Sequence, residues 1–347
     1  MKKLNEFLQD LLHKFPKYTL TEQDKRTIGM GQRAEWITYK LLLKRFRKAK
    51  VAEKTRQDVL SKVSLSIAED KPIYLIILFG GYKHFWNPSH PEVDWAELFN
   101  LNFMSSFCAS VLAVHKPGVI LDYGSEAVIM RMMDNYPETS LIVYAASFKK
   151  LIKHYSKCVP SNFKINYVDT GSKYDSEKLK KKIQEKLPEK KKQWKKFSAR
   201  ERKKRLHRSY RSFMWNGEED LTTLNDEQRR EKVEESKIIE DTFYEVEEEF
   251  LGDYFTGDNH IPLVLSWGLS DENIDHWLTL GSTYASAVDF WTGRGILEDR
   301  GERFIARVVS QSQYHSVRNS LKRFETDLVP LKNFRSIEVY KGELNFR

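Results

Sequence analysis

Lys83, His84, His90, Asp94 and Glu97 fall within YKHFWNPSHPEVDWAEL, directly after the apolar run IYLIILFGG at 73–81 of a 347-residue chain. A lysine among carboxylates can hold a developing oxyanion, and a carboxylate can take the proton from an attacking ammonium. A second run, KPGVILDYGSEAV at 116–128, ends in Asp122, Ser125 and Glu126, and a third, FKINYVDTG at 163–171, carries Asp169. Loops beyond the carboxyl ends of parallel strands converge on one crevice, where acidic groups crowded beside a lysine leave their solution pKa values. The expected site has Glu97 or Glu126 as base and Lys83 or the Gly81 amide as oxyanion partner. Gly80, Gly81, Asp94, Asp122, Ser125 and Asp169 would contact substrate, with Asp122 and Asp169 on its ammonium or guanidinium. Structural roles compete: Asp94 and Glu97 fit a helix capping box, Lys83 and His84 a solvated loop, Asp122 an ion pair.

Other chemistries find less to work with. FGGYKHF has neither the third glycine of a dinucleotide loop nor the Lys-Ser/Thr pair of a mononucleotide loop, so no cofactor is expected. His84 and His90 beside Asp94 are a partial metal shell, but HExxH is absent and neither Cys108 nor Cys158 supports one, so no metal site is assigned. GxSxG does not occur. Ser282, Ser286 and Asp289, in the small-residue segment GSTYASAVDFWTGRG flanked by Trp277 and Trp291, suit close packing around a ligand or helix contacts equally.

The elements that must position these groups alternate strand, helix, strand, helix, strand from residue 73 to 171. That order predicts an α/β chain with a Rossmann-like, doubly wound, mainly parallel sheet, an N-terminal helical region and a charged helical insertion. The expected divisions are an N-terminal helical region over 1–70, a first core part over 71–172, the insertion over 173–250 and a second core part over 251–347. Leu4, Leu8, Leu11, Leu12 and Phe15 mark one N-terminal helix, and Trp36, Tyr39, Leu43 and Phe46 a later one carrying RFRKAK. IPLVLSWG at 261–268 is a returning buried strand, and IEVYKGELNF at 337–346 a small hairpin or edge pair around Lys341-Gly342. Two cysteines and the absence of a signal-peptide pattern or long apolar window suit a cytoplasmic protein without a membrane partner.

The net charge of +9 is concentrated: 173–211 holds 18 basic and 5 acidic residues, and 218–249 holds 14 acidic and 4 basic. A weaker positive patch, Arg33 to Arg56, has nine basic and two acidic residues and fits a solvated helix face, with nucleic-acid contact as the alternative. Helical spacing of Leu179, Ile183 and Leu187, then Leu206, Tyr210 and Phe213, makes the insertion helical, with a break or kink at Pro188. So charged a helix either neutralises a polyanion or pairs with the acidic half. Lys191, Lys195, Lys196, Arg202, Lys203, Arg205 and Arg208, interleaved with aromatics, are the candidate RNA contacts, best suited to a folded RNA.

KPIYLIILFGGYKHFWNPSHPEVDWAELF followed by KPGVILDYGSEAVIM resembles two groups of amino-acid-consuming enzymes over about residues 70–155. One is the arginine-containing, aminoacyl-tRNA-dependent cyclodipeptide synthases, which share a Rossmann-type fold with class I aminoacyl-tRNA synthetases. The other is the isocyanide synthases, where a similar strand, loop, acidic helix and "PG" strand recur. Bacterial cyclodipeptide synthases place a nucleophilic serine after the first strand, and this chain has Gly80-Gly81 there. The first resemblance implies amide formation from aminoacyl-tRNA, with tRNA and an amino-acid-derived small molecule as partners. The second implies a tRNA-independent amino-acid-modifying enzyme, and a non-catalytic RNA-binding protein is a further alternative.

Overall fold

The apolar run at 73–79 is the central strand of a five-stranded parallel sheet, the position its lack of charged side chains suits best. The computed structural model describes residues 2–47, 51–80, 83, 89–127, 137–173, 175–203, 205–206, 224–251, 257, 259–265, 278–280 and 290–345. His84, Gly81, Arg208, Ser282, Ser286, Asp289 and Trp277 lie outside the described residues.

Four helices precede the sheet: α1 (Lys2–His13), α2 (Glu22–Gly29), α3 (Arg33–Leu41) and α4 (Glu53–Ala68). Leu4, Leu8 and Leu12 bury one face of α1, as their spacing predicts. The later helix departs from expectation: α3 stops at Leu41, Tyr39 is exposed, and a separate short turn at Lys44–Phe46 buries Phe46.

The sheet runs β3 (Phe163–Asp169), β2 (Val119–Ser125), β1 (Ile73–Phe79), β4 (His260–Leu265), β5 (Leu278–Leu280). All four strand pairs are parallel. The order reverses direction at β1, which places the ligand crevice of such sheets beyond Phe79. This is the expected α/β, Rossmann-like architecture, including the returning strand at 260–265.

A four-stranded sheet follows in the order β7 (Phe304–Val309), β6 (Arg294–Asp299), β9 (Ser336–Lys341), β8 (Leu321–Glu325). The expected hairpin around Lys341-Gly342 does not form. β9 instead pairs antiparallel with β8 and parallel with β6, so its partners come from earlier in the chain.

α5 (Trp95–Leu112) lies between the two sheets, and 15 of its 18 residues are buried, so it needs apolar side chains on every side. Its polar exceptions are satisfied. Asn100 accepts from the Tyr123 hydroxyl of β2 at 2.6 Å, and Trp95 donates to the Ser336 carbonyl of β9 at 2.8 Å. α6 (Glu138–Tyr155) covers β3 and ties back to α5 through Tyr155 and Ser105 at 2.8 Å.

The charged insertion is a helical hairpin. α7 (Ser176–Lys196) and α8 (Asp226–Leu251) meet antiparallel: Lys182 pairs with Glu249, Lys186 with Glu249 and Glu245, Lys190 with Glu245, and Lys191 with Glu235. Pro188 does not break α7, which continues to Lys196. The proline forfeits one helical hydrogen bond, but α8 holds the turns on both sides of it through these ion pairs. Trp194, Leu206, Val233 and Ile238 supply a local apolar core.

Candidate active site

β1 ends at Phe79, whose ring meets Tyr123, Tyr144, Phe148, Phe290 and Trp291, and a buried Gly80 follows. Lys83 then turns inward and is only 1% exposed. Its Nζ lies 3.2 Å from Asp94 Oδ1 and 3.3 Å from Glu97 Oε1, and it donates to the Gly293 carbonyl. The sequence places all three charged groups in one loop and first helical turn, and the structure joins them in one cluster.

The helix start fixes the two carboxylates. Asp94 is the N-cap of α5 and accepts from the Ala96 amide at 2.7 Å, while Glu97 Oε2 accepts from the Asp94 amide at 2.8 Å, completing the expected capping box. Glu97 Oε1 accepts from the Tyr144 hydroxyl at 3.0 Å. The same Asp94 oxygen also receives the Gly295 amide at 3.3 Å, which brings β6 against the helix end. A Cβ on Gly295 would lie 2.4 Å from the Ala96 nitrogen, so this approach requires glycine.

Burial decides the electrostatics. Glu97 is 0% exposed, and desolvation raises its carboxyl to about 8 although Lys83 opposes the rise; Asp94 adds to it. The Tyr144 phenol is pushed well up by burial and by Glu97. A carboxyl poised near neutrality beside an ammonium can take up or release a proton at working pH. One residue therefore both caps α5 and carries a carboxyl raised to about 8.

The remaining expected residues divide. Ser125 ends β2, with its carbonyl bonded to the Thr170 hydroxyl at 2.7 Å, and Glu126 follows it, donating its amide to the Phe79 carbonyl at 2.9 Å. Glu126 is thus on the β1–β2 rim and is buried. Asp122 is not at the strand end but mid-strand, level with Ile76, and accepts from Asn166 at 2.8 Å. Asp169 ends β3 in an exposed position and caps the following turn by accepting from the Gly171 amide at 3.0 Å. His90 bonds to Lys332, and its carbonyl accepts from Asn333, so it faces the second sheet. Among the described residues no group of three or more His, Cys, Asp or Glu is placed to hold a metal ion.

Tyr144, Gly293 and Gly295 complete these surroundings without having been expected there. The glycines sit in WTGRG, where a small-residue segment next to a tryptophan was the available signal. Tyr144 carries no local signal, being one tyrosine in an ordinary amphipathic helix.

Of the candidate RNA contacts, Lys191 is engaged by Glu235, Arg205 stacks its guanidinium on Phe197 at 4.2 Å, and Lys195, Lys196, Lys203 and Arg205 are exposed. Arg202 is half-buried. Among the described residues no helix is long and apolar enough to cross a membrane.

No family model matches the chain, and no curated protein matches it by sequence. Among solved structures, the fold is similar to that of the PvcA protein from Pseudomonas aeruginosa, with a TM-score of 0.64 at 13% identity. The match covers 90% of this chain and 100% of that one.

Proposed function

We propose that the chain is an amino-acid-modifying biosynthetic enzyme of the isocyanide-synthase type, acting without tRNA and using the Lys83, Asp94 and Glu97 cluster for proton transfer. The observation that carries this reading is the resemblance of residues 70–155 to the isocyanide synthases. The fold likeness to PvcA over 90% of this chain agrees with a catalytic architecture that extends well beyond those residues. The arm supports it too, because Lys182, Lys186, Lys190 and Lys191 are engaged by α8 and do not present bare charge to a polyanion.

An amino-acid ammonium must lose protons before its nitrogen forms new bonds. Glu97, with its carboxyl near 8, takes a proton at the pH where the ammonium still holds one. Lys83 stabilises negative charge that develops on the substrate. Asp94 orients Lys83 and caps α5.

A second reading, amide formation from aminoacyl-tRNA, draws on the exposed Lys195, Lys196, Lys203 and Arg205 beyond the paired stretch of α7. Metabolite mass spectrometry of cells expressing the chain separates the two. A new isonitrile supports the first reading, and a new cyclic dipeptide replaces it with the second. Unchanged product formation by Glu97→Gln would remove Glu97 from the mechanism under either. A tRNA affinity that falls steeply with salt and disappears when Lys195, Lys196, Lys203 and Arg205 are neutralised would also favour the second.

A further inference from the structure

Two side chains of α6 fasten it to the start of α5. Ser147 Oγ accepts from the Val93 amide at 3.0 Å and donates to the Tyr144 carbonyl at 2.8 Å, while the Tyr144 hydroxyl donates to Glu97 Oε1 at 3.0 Å. Residues three apart on a helix share a face, so both side chains reach the capped end of α5. Tyr144 is 2% exposed, and its ring packs edge-on against Phe148 and tilted against Phe79, which holds the hydroxyl at the carboxyl.

The two oxygens of Glu97 are not equivalent. Oε2 faces the Asp94 amide at 2.8 Å, a group that can only donate, so a proton placed there meets no acceptor. Oε1 meets the Lys83 ammonium at 3.3 Å and the Tyr144 hydroxyl. Of the three groups that meet the carboxyl, the hydroxyl alone can turn from donor to acceptor. We infer that Tyr144 is a positioning residue for Glu97: its hydroxyl donates to the carboxylate and reverses to accept from the acid, which confines the proton that Glu97 takes up to Oε1. In that step an O–H bond forms on Oε1 as an N–H bond of the donor ammonium breaks, and Tyr144 keeps its own hydrogen throughout. That the donor is a substrate ammonium rests on the function proposed above; the reversal of the hydrogen bond does not.

Lys83 after β1, Asp94 at the head of α5, Tyr123 of β2 and Tyr167 of β3 act electrostatically on this pair, and the segment entering β6 adds the Gly293 carbonyl on Lys83 and the Gly295 amide on Asp94. Burial, the largest influence, and the Asp94 charge disfavour the Glu97 carboxylate, whereas Lys83, the Asp94 amide and the Tyr144 hydroxyl favour it. A hydroxyl binds a carboxylate more tightly than it binds a neutral acid. Without it, Glu97 should hold its proton to higher pH.

The test uses the full chain and a first readout that needs no product. Urea unfolding is followed from about pH 5 to about pH 10 for the wild type, Tyr144→Phe and Ser147→Ala, each with and without Glu97→Gln, so that the difference within each pair isolates the titration of Glu97. Tyr144→Phe should move the Glu97 midpoint up by about one pH unit, the difference between a hydrogen bond to a charged and to a neutral partner. Ser147→Ala, which loosens the same helix without touching the carboxyl, should lower stability and leave the midpoint in place. The rising limb of product formation with pH should move up with the midpoint in Tyr144→Phe, because the base must be ionised to act. A further measurement needs no change at Tyr144: the infrared band of the protonated Glu97 carboxyl, identified by its loss in Glu97→Gln, should fall at the lower frequency of an acid that donates a hydrogen bond. The inference is overturned if Glu97 shows no titration in the wild type, if Tyr144→Phe leaves the midpoint unchanged or lowers it, if Ser147→Ala moves it equally, or if the band is that of an acid without an acceptor. A shifted midpoint in a chain that makes no isonitrile would leave the role of Tyr144 toward Glu97 standing and end the functional reading.

Discussion

Lys83 Nζ lies 3.3 Å from Glu97 Oε1 with both side chains sealed from solvent, and the carboxyl still sits near 8. The unfolded chain releases that proton near 4.5. Between the two values the folded chain binds the extra proton, so this group's contribution is full below 4.5 and is lost as pH rises through about 8. Glu97→Gln cannot release the proton. Its melting temperature should therefore lie close to that of the wild type at about pH 5, gain on it up to about pH 8 and level off above that. A difference independent of pH would show that Glu97 does not titrate in this window. The same variant should lower product formation about a hundredfold or more, the scale of a lost general base.

Replacing Lys83 has the opposite character, since it removes the cation and leaves the carboxylates. Asp94 retains the Ala96 and Gly295 amides, but Glu97 keeps only the Asp94 amide and the Tyr144 hydroxyl. Lys83→Met should cost about 3 kcal/mol, the lower end for breaking a buried pair, because Glu97 can escape by protonation. The double variant Lys83→Met with Glu97→Gln should be less destabilised than the sum of the singles. Urea unfolding of the four proteins measures the coupling, and strict additivity would mean that the pair does not interact.

Gly295→Ala probes how the two sheets meet at this helix end. The added methyl would stand 2.4 Å from the Ala96 nitrogen and 2.5 Å from the Trp95 carbonyl carbon, both backbone atoms that cannot rotate away. A loss of about 1–3 kcal/mol is expected, as for overpacked cores, together with a weaker cap on α5. Gly301→Ala is an informative partner. Nothing lies within 4 Å of its added methyl, yet its φ of +84° disfavours any side chain. If the two variants melt alike, the Gly295 contact is not the cause.

The parts of this arrangement that were legible in the sequence are those encoded locally. IYLIILF has no charge to expose, so a central strand was its only economical position, and Asp94 with Glu97 three residues on spells a capped helix regardless of tertiary context. Asp122 misled because Asp-Tyr-Gly-Ser has the composition of a turn. Pairing with β1 and β3 on either side carries the strand on to Ser125, and Asn166 satisfies the aspartate in place. β9 misled in the same way: Lys341-Gly342 looks like a hairpin tip, but its partners β6 and β8 lie earlier in the chain and no local signal names them. Tyr144 reaches Glu97 from 47 residues away, and that meeting exists only once α6 has docked. Pairing between the halves of the insertion was one of the two outcomes that its charge runs left open, and the ion pairs between α7 and α8 decide for it along Lys182 to Lys191.

Trp194 tests whether the arm opens independently of the main core. Its ring is buried with Leu206, Val233 and Ile238 and meets Phe197 edge-on at 5.8 Å, so Trp194→Ala removes the largest side chain of the hairpin's local core. Such truncations cost about 3–5 kcal/mol where the surroundings cannot collapse. Because this cluster is separate from the core around the parallel sheet, the loss should appear as local opening rather than global unfolding. Hydrogen exchange should accelerate in α7 and α8 and stay slow in β1 and α5. With α8 loosened, the Glu97-dependent pH profile of stability should persist, because the partners of Glu97 are Lys83, the Asp94 amide and Tyr144, none of them on the hairpin. Uniform acceleration across β1 and α5 would instead make the arm inseparable from the main core.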